Sequence, residues 1–304
     1  MVNSEASPYV LFVQHGWHDT NQRIQRLGVS LAEPQTEVIA PDLGLLKTWW
    51  RIEPLIKQVE QIAISTHQRH PERPWRIVGH SMGGLIWLEL LQRHPDWWPH
   101  VSSVSLVRSP VGGADLGRIF DPLRWGIGIA KDLGTNRRQI AEHLARHLPI
   151  QTIASDYGVG SDGTVPVQCS RFRYARHTQL QGIRHDNTKD HPDVIAAIQH
   201  FWTLLPASPA PPADSLEDAI IAQLETIPGM TDTRQRDFDR STLWATLNQG
   251  FTLRIWRHPL GIHHVFLADS QNRCRFAGFV GWPDTPGLYQ GLTIIKQQYC
   301  QPSI

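Results

Sequence analysis

The 304-residue sequence predicts an α/β architecture: a doubly wound, mostly parallel sheet covered on both faces, followed by a small α+β unit. Three observations carry this reading. Apolar runs of strand length alternate with amphipathic helical stretches over residues 1–205, the rhythm of successive βαβ units. A proline-rich segment at 206–213, PASPAPPA, then interrupts the rhythm as a semi-rigid linker. Beyond it, residues 214–304 change character, to helical stretches followed by clustered short strands.

In order, Tyr9–Val13 (YVLFV) reads as a buried strand ending in Gln14-His15-Gly16-Trp17-His18. Ile24, Leu27 and Leu31 mark a helix, Thr36–Ala40 a strand, and Trp49, Ile52, Ile56, Val59 and Ala63 one face of a long helix. Strand Trp75–Val78 leads into a helix from Gly83 to His94, which Pro95 ends. Val101–Val107, Pro149–Ser155 and Thr178–Ile183 read as further strands, and Pro192–Leu205 as a helix. After the linker, Ser215–Ile227 is expected to be a helix with Ser215 and Asp218 at capping-box spacing. A second helical stretch is expected around Ser241–Leu247, then strands at Phe251–Trp256, Ile262–Leu267 and Arg273–Val280, and a short helix near Leu288–Gln297. No catalytic motif is found in this second unit.

Composition narrows the function. Hydrophobic content of 40% with 19% charged residues suits a chain that buries a core, and a net charge of +1 gives no case for nucleic acid. Arg171-Phe172-Arg173-Tyr174, basic and aromatic, is then a solvated loop or edge strand. No apolar run reaches the roughly 18–20 residues that span a bilayer. The amino-terminal residues read as neither signal nor transit peptide. Cys169, Cys274 and Cys300 are odd in number and lie at no metal or redox spacing, so a reduced, cytoplasmic protein is expected. The pairs His15/His18 and His143/His147 have spacings that can clip a metal, but no acidic residue completes a set with the first, and the second reads as a pair of surface histidines. No metal or cofactor is expected.

The chemistry centres on Gly79-His80-Ser81-Met82-Gly83, set between a strand and a helix as a G-x-S-x-G nucleophile elbow requires. With glycine at about 7% of residues, chance alone gives this motif in about one chain in ten of this size, so its partners decide. Serine needs a base, a group to orient that base, and donors for the oxyanion. These should lie beyond the carboxyl ends of strands. The loop after Pro149–Ser155 offers Asp162, in Ser161-Asp162-Gly163-Thr164-Val165-Pro166, with Asp156 as second choice. His185 follows the last strand, with His191 as second choice and His177 placed before the strand. The Met82 N–H and the Trp17 N–H, the latter aimed by Gly16, are the expected oxyanion donors.

From about Tyr9 to Leu205 the sequence resembles the α/β-hydrolase superfamily, and within it the lipase/esterase branch. His15-Gly16 after the first strand, Gly79–Gly84, Ser161–Val165 and His185 ahead of Pro192-Asp193-Val194 carry the resemblance. Ser109-Pro110-Val111-Gly112-Gly113 is similar to a segment of bacterial lipases and inositol-deacylase-like proteins. Such an enzyme would cleave a carboxylic ester through an acyl-enzyme on Ser81. Acyl transfer or thioester cleavage would use the same residues, and a non-catalytic hydrolase-fold scaffold is the reading of another class.

The roughly forty residues at 111–148 exceed a plain crossover, and the resemblance implies a cap. Its first half (Ile119, Phe120, Trp125–Ile129) is apolar and glycine-rich; its second half is an amphipathic helix. Ile140, Ala141, Leu144 and Leu148 lie on one side of that helix, and Arg137, Arg138, Arg146 and His147 on its polar side. A movable cap would favour a lipid-like or acyl ester and offer peripheral membrane contact. The alternative is an ordinary crossover helix plus a loop. His15, Gly16, Pro110, Val111 and Trp125 are expected to line the substrate pocket.

Overall fold

A computed structural model describes residues 9–45, 47–49, 51–113, 129–157, 160–205 and 215–300. Strand β1 (Val10–Gln14) is buried at all five positions, as its unbroken apolar run requires. It lies between β2 (Glu37–Ile39) and β3 (Trp75–His80), and β4 (Val101–Val107), β5 (Ile150–Asp156) and β6 (Arg176–Gln181) follow beyond β3. Every pairing in this six-stranded sheet is parallel. The chain steps from β1 outward to β2 and returns across β1 to β3. The strand order therefore reverses between β1 and β3, where open α/β sheets carry their sites.

The pleat divides the core. Leu11 and Val13 face α1 (Asn21–Leu31) and α6 (Pro192–Thr203), packing with Ile24, Leu27, Val194 and Ile198. Val10 and Phe12 face the opposite layer of α2 (Glu53–Arg69) and α3 (Met82–Arg93), among Leu55, Ile56, Leu85 and Leu88. Trp49 is not part of α2, as its spacing suggested. It lies on a 3₁₀ turn, Lys47–Trp49, and α2 starts only at Glu53, with Pro54 in its first turn.

Between β4 and β5, α4 (Ile129–Gly134) and α5 (Arg138–Ala145) are described, whereas 114–128 lie outside the described residues, and Trp125 with them. Ala141, Leu144, Ala145 and Leu148 are buried in the main core beside α3. This half of the insertion packs on the sheet as a crossover helix would. Arg137 and Arg138, expected on its polar side, are buried as well: Arg137 Nε donates to Glu89 at 2.8 Å, and Arg138 meets partners from the far end of the chain.

Those partners belong to the second unit, which follows the linker region (206–214 lie outside the described residues). After α7 (Leu216–Glu225), strands β7 (Thr231–Asp232), β8 (Thr242–Thr246), β9 (Thr252–Arg257), β10 (His263–Ala268) and β11 (Cys274–Val280) form a separate sheet. Its order is β7-β11-β10-β9-β8, antiparallel throughout. Ser215 caps α7 by accepting the Asp218 N–H at 3.1 Å, as its spacing predicted. α8 (Thr285–Tyr299) packs with α7 on one face through Leu288, Leu292, Ile220 and Leu224. The helix expected around Ser241–Leu247 is instead β8. The threonines at both its ends suit an edge strand, and pairing with β9 overrides the helix-like apolar cluster Leu243-Trp244-Ala245.

The second unit meets loops and a helix of the first through polar contacts. Gln168 acts as a peptide group, donating to the Ala277 carbonyl at 2.5 Å and accepting the Ala277 N–H at 3.2 Å. Arg138 is ion-paired to both Asp232 and Glu225. Arg234 donates to the Gly163 carbonyl at 2.6 Å. No helix among the described residues is long and apolar enough to cross a membrane.

Candidate active site

At the switch point, β3 ends in His80 and α3 begins at Met82, so one residue, Ser81, must make the whole turn. It does so at φ 54, ψ −125, a conformation L residues rarely adopt. The glycines permit it. A Cβ on Gly79 would come within 2.5 Å of the Gly84 backbone, and one on Gly83 would overlap the Gln14 carbonyl. Ser81 N–H donates to the Val107 carbonyl at 2.8 Å, tying the elbow to the end of β4.

The loop after β1 closes on the elbow. A Cβ on Gly16 would lie 2.8 Å from Ser81 Cβ and 3.2 Å from Met82 N, so this backbone lies directly against the first N–H of α3. His15 is fully buried behind the loop. Its Nε2 accepts the Leu43 N–H at 3.0 Å, so Nδ1 carries the proton and donates to the Gly16 carbonyl at 2.9 Å. Burial lowers its pKa, which keeps the ring neutral in this role. Trp17 is half-buried and meets the exposed Trp49 edge-on, with ring centroids 4.4 Å apart. Pro110 and Val111 are buried beside the end of β4.

Asp162 and His185 come together from the loops after β5 and β6: His185 Nδ1 donates to Asp162 Oδ2 at 2.7 Å. The other oxygen, Oδ1, accepts the N–H groups of Thr164 at 2.8 Å and Val165 at 2.7 Å, which fixes the carboxylate plane. Burial pushes this carboxyl upward, but His185 and Arg108 outweigh it and hold it below the ordinary carboxylate range. The His185 ring lies 5.1 Å from that of His80, the residue preceding Ser81. Of the second choices, Asp156 turns to the Gly160 N–H at 3.0 Å, and His191 caps α6 through the Asp193 N–H. His177 lies within β6 and pairs with Thr152 Oγ1 at 2.7 Å.

Two neighbours of the pair were not singled out from the sequence. Arg108, fully buried at the end of β4, donates to Asp162 Oδ2 at 3.2 Å and to the Ile183 carbonyl at 2.8 Å. A lone arginine directly after the strand Val101–Val107, where strand ends carry chemistry, was the available signal. His80 Nε2 meets Thr188 Oγ1 at 3.1 Å, and that hydroxyl donates to the His185 carbonyl at 2.7 Å. His80 must therefore be the donor to Thr188. Burial first, then the charges around it, push its pKa well down, so it is a neutral strut under the His185 backbone.

Residues 6–111 match the sequence profile of a family described as serine aminopeptidase, S33. No curated protein matches the chain. Among solved structures, a metagenomic carboxyl esterase aligns at 14% identity and a TM-score of 0.50, covering 66% of this chain and 77% of that one. A mature lipase from Bacillus licheniformis aligns at 17% identity and a TM-score of 0.48, covering 66% of this chain and 93% of the lipase. A thioesterase of prodiginine biosynthesis from Streptomyces coelicolor aligns at 14% identity and a TM-score of 0.41, covering 65% of this chain and 91% of that one. With an all-parallel sheet, an elbow at its switch point and the carboxyl esterase as structural relative, the chain is, over its first two thirds, an α/β-hydrolase in fold.

Proposed function

We propose that the protein is a serine hydrolase acting on carboxylic esters. The observation that carries this reading is the strained Ser81 backbone beside a charge-supported Asp162–His185 pair. Ser81 Oγ attacks the ester carbonyl as His185 Nε2 takes its proton, and Asp162 holds the imidazole through Nδ1. The oxyanion is bound by the Met82 and Trp17 N–H groups, and His185 returns the proton to the departing alcohol. Water, deprotonated by the same histidine, then releases the acid and regenerates Ser81. The aromatic surface of Trp17 and Trp49 beside the oxyanion loop favours an apolar acyl group. A reducing, cytoplasmic setting belongs to this reading, because Cys169, Cys274 and Cys300 are all free thiols.

Labelling by a fluorophosphonate probe is the direct test. Wild type should label and Ser81→Ala should not; equal labelling would remove Ser81 as nucleophile, and an unlabelled wild type would favour a scaffold. His185→Ala should lower ester turnover by several orders of magnitude. Nitrophenyl esters and thioesters of increasing chain length, with and without an alcohol acceptor, separate hydrolysis from acyl transfer.

A further inference from the structure

Arg108 is a cation with no exposed surface, held at φ 51 where L side chains are disfavoured. Strained, buried charges persist where the surroundings impose them, and such sites are functional-site candidates. The same strand end serves two parts of the site. Val107 accepts the Ser81 N–H, and the next residue reaches Asp162. Two donors share a single oxygen, since Asp162 Oδ2 accepts from both His185 Nδ1 and Arg108 Nη1. The second arm of the guanidinium is fixed on the carbonyl of Ile183, two residues before His185.

We infer that Arg108 is a positioning residue of the acid–base pair, clamping Asp162 Oδ2 and the loop leading to His185 so that the carboxylate stays ionised and aimed. This rests on the proposed hydrolase reading and deepens it. A planar fork can hold a carboxylate oxygen and a peptide carbonyl at once; an ammonium group lacks that geometry. Burial pushes the guanidinium down only to about 10, so it stays charged at neutral pH. Its charge opposes protonation of Asp162, which keeps that carboxylate ionised to lower pH. The other groups facing the pair do not substitute for it. His80 and Cys169 are buried and neutral, and Lys189 is paired with Asp19 at 2.7 Å.

The test compares full-length Arg108→Met and Arg108→Lys with wild type, measuring kcat and KM for a nitrophenyl ester across pH. Arg108→Met should lose about 10–100-fold in kcat at neutral pH with KM little changed, as loss of an orienting partner does. Its acid limb should move up by about one pH unit or more, the usual influence of an adjacent arginine on a carboxylate. Arg108→Lys keeps the charge and loses the fork, so it should retain the wild-type acid limb with reduced kcat. An Arg108→Met limb coinciding with wild type overturns the inference, whatever its rate, because a merely structural arginine moves no titration. Should Arg108→Met fail to fold, carbon NMR of the Asp162 carboxyl in wild type decides. Titration below the ordinary carboxylate range supports the clamp, and titration within or above it overturns the clamp. Wild type lacking both ester turnover and Ser81 labelling would instead sink the hydrolase reading itself.

Discussion

Ser81 holds a backbone conformation costing about 1–3 kcal/mol, and it persists only because its neighbours leave no alternative. Gly16 is the one that faces the oxyanion site, since a side chain there would press on Ser81 Cβ and on the N–H expected to bind the oxyanion. Gly16→Ala should therefore reduce ester turnover by up to about 100-fold, the cost of displacing reacting groups by about 1 Å. Its melting temperature should change far less than its turnover. Circular dichroism melts beside steady-state kinetics check both halves, and unchanged kcat would place the oxyanion donors elsewhere. His15 supports the same loop from behind in a fixed tautomer, which explains why a residue read as pocket lining is wholly buried.

At the scale of elements, α5 is the informative case. An amphipathic stretch in an oversized connection reads equally as cap or crossover, because periodicity reports one apolar face and not what covers it. Leu144 lies at no exposure in the main core, so Leu144→Ala should cost about 2–5 kcal/mol in urea unfolding. A helix on a movable cap would lose well under that. The six parallel strands and their helices were legible from their alternation along the chain, most sharply at the fully buried β1, whose burial leaves the unbroken apolar run Tyr9–Val13. Strand β8 was not, since an edge strand is defined by its pairing with β9 more than by its own pattern. Ser81, Asp162 and His185 could be nominated from motif and strand-end position. Arg108 could not be assigned a partner, because Asp162 lies 54 residues on and their meeting depends on how β4 and the loop after β5 are aligned.

Across the whole molecule, the contact between the two units includes one guanidinium facing two buried carboxyls. Burial alone would lower Arg138, but Asp232 and Glu225 hold it above its ordinary range. One cation cannot neutralise both acids, and burial pushes the Glu225 carboxyl up to about 8. Glu225 in the unfolded chain ionises near its ordinary value, so between there and pH 8 the folded protein binds a proton the unfolded chain lacks. Stability from this group is thus greatest at acid pH and falls as pH rises towards 8. Thermal melts of Glu225→Gln should show a flatter decline between pH 5 and 8 than wild type. Parallel curves would mean that Glu225 is ionised throughout.

The partners of Arg138 also impose an order on biosynthesis. The arginine lies in the connection between β4 and β5, and Asp232 follows it by 94 residues. Amino-terminal units begin to fold as they leave the ribosome, so on a nascent chain α5 emerges well before Glu225 and Asp232. Until they arrive, Arg138 must stay hydrated, and Gly163, next to Asp162, lacks the hydrogen bond from Arg234. Translation thus completes the support of the Asp162 loop only with its last third, and a ribosome stalled short of Asp232 would hold a chain whose nucleophile turn is formed before its acid loop is braced.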